Sequence, residues 1–228
     1  MLRQVVPTGP LGGVRVGVTA GRGGRRLVDA MRRAGAVVAW GPTFDTVAAT
    51  PARLRAETTE VLERGPGWIG VTTERGGRVW ADGAGPLGPA LRDLLAGAGV
   101  VARNRAAARV VTELGGRAEV TAASGRSAEV ARLLLERAPA GGPVAVQVDG
   151  GGSRTLVGHL REAGAEVLVI RPHRWEPPAD VGPAARLVRQ IAAGDLDIVT
   201  FTSPPAVDGL FEVAAGLGRR GLAPRLVL

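Results

Sequence analysis

The stretch Asp197-Ile198-Val199-Thr200-Phe201-Thr202-Ser203-Pro204-Pro205-Ala206-Val207 decides the fold. Its β-branched, apolar start ends in hydroxyls and two prolines, and an amphipathic run follows. That order predicts a buried parallel strand, a polar turn and a helix beginning at Pro204 or Pro205. The turn falls at the carboxyl end of its strand, where open α/β sheets bind ligands. Ser203 stands at the N-cap position, with the first-turn amides expected to face the same crevice. A second copy of the pattern lies at Gly67-Trp68-Ile69-Gly70-Val71-Thr72-Thr73-Glu74-Arg75. Two such turns predict two α/β lobes facing a shared cleft.

Outward from these stretches the chain alternates. Strands are expected over 14–19, 36–40, 68–72, 100–103, 118–121, 143–148 and 166–171. Helices are expected over 51–64, 86–98, 106–114, 155–163, 183–193 and 206–217, with others through Val28 and Met31, through Val79 and Trp80, and from Ser127 as an N-cap. Strand–helix alternation at this spacing means parallel sheets with right-handed crossovers. The periodicity breaks near Pro42 and again near Pro172. Those breaks bracket a self-sufficient run at 46–171, the second lobe, leaving 1–42 and 177–228 for the first. Residues 43–45 and 172–176 are read as the two linker strands, so one lobe is inserted into the other.

Composition narrows the chemistry. Cysteine is absent among the 228 residues, which removes disulfides, thiolate metal sites and cysteine nucleophiles. His159 and His173 are the only histidines, too few for a His-rich metal site, and tyrosine is absent. Every basic residue is arginine and the formal charge is +8, which points to an anionic partner recognised by guanidinium groups, or to coding bias alone. The arginines are dispersed among acidic residues and aromatics are scarce, so neither a basic stripe nor a stacking platform for nucleic acid forms. No run is long and apolar enough for a membrane span, and the N-terminus lacks a signal-peptide core, so a soluble cytoplasmic protein is expected. Gly21, Gly23 and Gly24 do not have the spacing of a dinucleotide fingerprint, and no acidic residue ends the second strand. No G-x-S-x-G supports a hydrolase triad.

Several motifs, in order, carry a resemblance. They are Val18-Thr19 with an arginine-bearing turn, Trp40-Gly41-Pro42-Thr43, Gly70-Val71-Thr72-Thr73, Gly125-Arg126-Ser127-Ala128-Glu129-Val130, Arg174-Trp175-Glu176-Pro177-Pro178, and the 199–207 stretch. Together they resemble the uroporphyrinogen-III synthase family, specifically bacterial members that can carry a C-terminal winged-helix DNA-binding domain. The resemblance implies two Rossmann- or flavodoxin-like parallel-sheet lobes joined by a two-stranded linker. It implies cyclisation of the linear tetrapyrrole hydroxymethylbilane to uroporphyrinogen III, with inversion of the last ring and no metal or organic cofactor. The implied partner is a polyanionic tetrapyrrole, with no membrane, nucleic acid only through a C-terminal domain absent from this sequence, and a monomeric state.

The expected substrate-binding residues are Thr19, Arg22, Thr72, Thr73, Ser127, Gly151, Ser153, Arg154, Thr202 and Ser203. Amides, hydroxyls and guanidinium groups at strand tips suit a row of acetates and propionates. His173 corresponds to a tyrosine that many members carry, and becomes the candidate proton donor. Asn104 and Ala108 stand where the family usually has Gly and Thr, which removes a hydroxyl. The sequence also ends at Leu228, before the strand, turn and helix that complete the first lobe in the family. These departures keep a second reading open: a weakly active or inactive ligand-sensing domain of a transcriptional regulator.

Overall fold

A computed structural model describes residues 9–139, 141–148 and 153–218. The chain divides into two compact units, Met1–Thr46 with Trp175–Leu228, and Val47–Arg174.

In the first unit the parallel strands β1 (Arg15–Val18) and β2 (Val37–Trp40) flank helix α1 (Arg25–Arg33). Near the connector lies β3 (Asp45–Ala48), which pairs with a strand much later in the chain. All three strands are four residues long.

The second unit begins with α2 (Pro51–Arg64). Thr50 caps it through a hydrogen bond from the Arg53 amide, Pro51 pre-sets the first turn, and Gly65 stops it in the left-handed conformation. There follow β4 (Trp68–Val71), α3 (Glu74–Ala84), α4 (Gly88–Gly97), β5 (Gly99–Ala102), α5 (Arg105–Glu113), β6 (Ala118–Thr121), α6 (Ser127–Leu135), β7 (Pro143–Gln147), α7 (Ser153–Glu162) and β8 (Glu166–Ile170). The helix expected over 86–98 is divided: Gly85–Leu87 forms a 3-10 turn before α4 begins, Gly85 having a positive φ. The five strands form one parallel sheet in the order β6-β5-β4-β7-β8. The chain starts at the centre, winds outward to one side, then returns to the other. Its switch point therefore lies between β4 and β7.

Both faces of this sheet are covered. Ile69, Val71, Val100 and Ala102 pack with Leu54, Trp80, Leu91, Leu95 and Val110 of α2 to α5 on one face. Val101, Val144 and Val146 pack with Leu134 of α6 and Leu156 and Leu160 of α7 on the other. Burial on both faces is what the unbroken apolar strands of a parallel sheet require.

The chain then runs through β9 (His173–Glu176), which pairs with β3 as a two-stranded sheet, and re-enters the first unit. Phe44 and Trp175 meet edge to face there, with ring centroids 5.9 Å apart. Helix α8 (Gly182–Ala193), strand β10 (Ile198–Thr200) and helix α9 (Pro204–Gly216) follow. β10 pairs in parallel with β1, giving the order β10-β1-β2 and a second switch point, between β1 and β10. Val28 of α1 covers Val16 and Val18 on one face, while Leu187, Val188 and Ile191 of α8 pack with Leu210 and Ala214 of α9 on the other. The fold is α/β with parallel sheets.

Candidate functional site

The carboxyl edges of the two parallel sheets hold most of the buried polar side chains. Among the described residues five polar ones are buried, and Thr19, Thr43, Thr72 and Gln147 lie at these edges; Thr58 on α2 is the exception.

At the switch point of the first unit, the Thr19 hydroxyl donates to the Thr200 carbonyl at 2.8 Å, and its side chain is fully buried. Thr43 donates to the Ala206 carbonyl at 2.9 Å, tying the turn after β2 to the first turn of α9. The Trp40 indole donates to the Ala20 carbonyl at 2.8 Å, so this ring braces the turn after β1. Arg22 opens the 3-10 turn Arg22–Gly24 that follows, again at the carboxyl end of β1.

Ser203 is the N-cap residue of α9, but its side chain makes no capping bond. The reason is chemical. The first two helical residues are Pro204 and Pro205, which have no N–H, and the Ala206 amide bonds to the Ser203 carbonyl at 3.0 Å. The expected cluster of free first-turn amides is thereby corrected: α9 offers hydroxyls where a proline-free helix would offer N–H groups. The Ser203 Oγ is buried and has no hydrogen-bond partner among the described residues, while Thr202 beside it is exposed. An unpartnered buried hydroxyl costs about 1–3 kcal/mol, so this one is an available donor and acceptor for a ligand group.

In the second unit, Thr72 and Thr73 follow β4. Thr73 caps α3 by accepting from the Gly76 amide at 3.1 Å. Thr72 is fully buried and its hydroxyl has no partner among the described residues. Both backbone amides are occupied by Gln147, the last residue of β7. Its Oε1 accepts from Thr72 N and Thr73 N at 3.2 Å each, and its Nε2 donates to the Val148 carbonyl at 2.9 Å.

The turn into α6 is likewise satisfied from within. Glu129 accepts from the Ala123 and Ser124 amides and from the Ser124 hydroxyl. The Ser124 side chain, then the two amides, hold the Glu129 carboxyl below its ordinary range. Ser127 is the first helical residue and Arg126 occupies the N-cap, which corrects the expectation for Ser127: Gly125, with a positive φ, moves the helix start by one residue. The Ser127 hydroxyl instead accepts from the Arg103 guanidinium at 3.5 Å. Arg103 follows β5 at the sheet edge, half-buried. Asn104, the departure noted above, caps α5 by accepting from the Ala107 amide at 2.9 Å.

Gln147 and Arg103 are the edge residues that sequence reasoning missed. A glutamine ending an apolar strand was the available signal for the first. The position just after β5, matching Thr72 just after β4, was the signal for the second. Gly151 lies outside the described residues; Ser153 and Arg154 open α7, at the carboxyl side of β7. His173 opens β9, half-buried, and His159 is exposed on α7. Among the described residues no cluster of three or more His, Asp or Glu side chains is placed to hold a metal ion, and no helix is long and apolar enough to cross a membrane.

Four similarities to known proteins bear on this geometry. The family model described as uroporphyrinogen-III synthase HemD matches residues 25–226. A mutant uroporphyrinogen III synthase from the extremely thermophilic bacterium Thermus thermophilus superposes with a TM-score of 0.78 at 26% identity, covering 94% of this chain and 81% of that one. A putative uroporphyrinogen-III synthase of Methanothermobacter thermautotrophicus is 47% identical over 55 residues, which are 24% of this chain and 22% of that protein. Protein YjjA of Bacillus subtilis is 27% identical over 212 residues, 90% of this chain and 77% of its own length.

Proposed function

The chain belongs to the uroporphyrinogen-III synthase family, and on that premise we propose that it cyclises hydroxymethylbilane to uroporphyrinogen III. In this reaction the terminal hydroxymethyl group loses its hydroxyl as water, and its methylene carbon stays on the ring. The last pyrrole attacks the resulting azafulvene through its substituted carbon, and the spiro intermediate fragments and recloses with that ring inverted. The family match across 25–226 is the observation that carries the reading.

The chemistry asks little covalent work of the protein. Departure of hydroxide builds positive charge on the substrate, so the chain has to position the two ends and assist one proton transfer. Arg103, Thr73, Thr202 and Ser203 are proposed to meet substrate carboxylates, with Arg22, Ser127, Gly151, Ser153 and Arg154 as further contacts. The Ser203 hydroxyl supports this assignment best, because none of the described residues uses it. Thr19 and Thr72 are proposed to shape the edge from beneath, since both are fully buried. His173 is the proposed proton donor. The protein is proposed to act as a cytoplasmic monomer without a cofactor.

The test is incubation with freshly generated hydroxymethylbilane and analysis of the product isomer. Type III product above the spontaneous background supports the cyclase. Type I product alone, at the spontaneous rate, refutes it. Tight tetrapyrrole binding without turnover would assign the chain to the ligand-sensing class.

A further inference from the structure

We propose that Gln147 is a positioning residue for the proposed reaction: its carboxamide fixes the β4–α3 turn in the geometry that turnover requires. The substrate side of this inference rests on the cyclase reading above.

Gln147 ends β7 at the switch point of the five-stranded sheet, directly beside Val71 in the β4–β7 register. Its neighbours Val144 and Val146 point into the core on the α6–α7 face, while Ala145 belongs to the opposite face. Alternation therefore sends Gln147 toward α3, where an apolar side chain would complete the core. A fully buried carboxamide stands there instead.

Each of its polar atoms is committed. Oε1 bridges two consecutive amides, Thr72 N and Thr73 N, and Nε2 holds the Val148 carbonyl of its own strand end. Paired amides of this kind at a strand-to-helix turn form an anion-binding concavity in many folds. Here the carboxamide oxygen sits in it. The space for the carboxamide comes from Gly76: any Cβ at that position would collide with Gln147 Nε2 and with the Thr73 hydroxyl. The Thr73–Gly76 turn is thus fitted to a side chain that lies 74 residues from Thr73.

The consequence is rigidity where the proposed contacts begin. With both amides tied to β7, Thr73 keeps the extended backbone (φ −142°) from which its hydroxyl caps α3. A bridge between central strands and a turn pre-organises that turn, and a displacement of about 1 Å at a reacting site can cost on the order of 100-fold in rate.

The experiment compares Gln147→Met, Gln147→Glu and the remote core variant Leu95→Ala in the full chain. Amide hydrogen exchange and steady-state turnover of hydroxymethylbilane are read on each. Gln147→Met keeps volume but loses both bonds. It is expected to lose protection at Thr72 and Thr73 and to lower kcat/KM by about 10- to 100-fold, mostly through kcat. Gln147→Glu keeps the acceptor, and burial beside a carbonyl favours its protonated form, which restores the donor. It is expected to stay within about threefold of the unsubstituted protein. Leu95→Ala, compared at a temperature where both are folded, is expected to lose melting temperature without the loss in kcat.

Unchanged turnover in Gln147→Met overturns the inference, as does an equal loss of kcat in Leu95→Ala. If the unsubstituted protein turns nothing over, the cyclase reading is what fails. Exchange alone then decides the clamp, and intact protection at Thr72 and Thr73 in Gln147→Met overturns it.

Discussion

Asp197 accepts three hydrogen bonds from Arg15: the backbone amide and Nε reach one carboxylate oxygen at 2.8 and 3.2 Å, and Nη2 reaches the other at 2.7 Å. The Asp197 amide returns a bond to the Arg15 carbonyl at 2.9 Å. The pair locks the amino ends of β1 and β10, the edge opposite the candidate site, so it serves the sheet and leaves the chemistry alone.

A pH dependence follows. The Arg15 side chain first, and its amide second, lower the Asp197 pKa from 3.8 to about 2. A depressed carboxylate contributes stability above its unfolded value and loses it as pH falls through the folded one. The difference in melting temperature between the unsubstituted protein and Asp197→Asn should hold steady above about pH 5 and shrink towards pH 2. Both side chains are solvent-exposed, so added salt should reduce the difference as well. A difference that persists unchanged at pH 2 would contradict the assignment.

Ser203→Ala separates fold from function. The hydroxyl has no partner to lose among the described residues, so the melting temperature should stay constant or rise slightly. Turnover of hydroxymethylbilane should fall about tenfold if the hydroxyl meets substrate. Thermal melting and steady-state kinetics on the same preparation check both halves.

Arg103→Gln should lower kcat/KM for the polycarboxylate substrate by about 10- to 100-fold, the range of a charge-assisted contact worth about 1.5–3 kcal/mol. Arg103→Lys should recover only part of it, because an ammonium lacks the planar fork. Full recovery by lysine would indicate a point charge without directional bonding.

Two glycines on helices should respond with opposite signs. Gly158, inside α7, has only the Glu162 carboxylate at 4.0 Å from a built Cβ, so Gly158→Ala should stabilise by about 0.5–1 kcal/mol. Gly209, inside α9, lies against the Thr43 carbonyl, which cannot swing aside as a side chain would. Overpacking of about 1–3 kcal/mol there exceeds the helix gain, so Gly209→Ala should destabilise. Chemical denaturation of the two variants checks the sign.

Thr58→Val tests the buried polar residue that stands away from the sheet edges. Thr58 accepts from the buried Trp80 indole at 3.0 Å and donates to the Leu54 carbonyl at 2.6 Å. Valine keeps the shape and strands the indole N–H, at a cost of about 1–3 kcal/mol. Trp80→Phe on top of it should cost less than the two changes summed.

The sequence by itself determined the α/β class and the family, because both rest on local order. Strand and helix periods repeat within a few residues, and turn chemistry such as Thr50-Pro51 or Thr73-Glu74 sits at the element it caps. Even the missing amides at α9 follow from reading Pro204-Pro205 as residues without N–H groups. What only the tertiary structure decided is which polar groups consume one another. Gln147 meets Thr72 from 75 residues away, and Arg103 meets Ser127 across 24. Those meetings depend on β4 pairing with β7 and on the turns after β5 and β6 coming together at one edge. Sheet register is a property of the whole packed core, so no window of sequence short enough to read carries it.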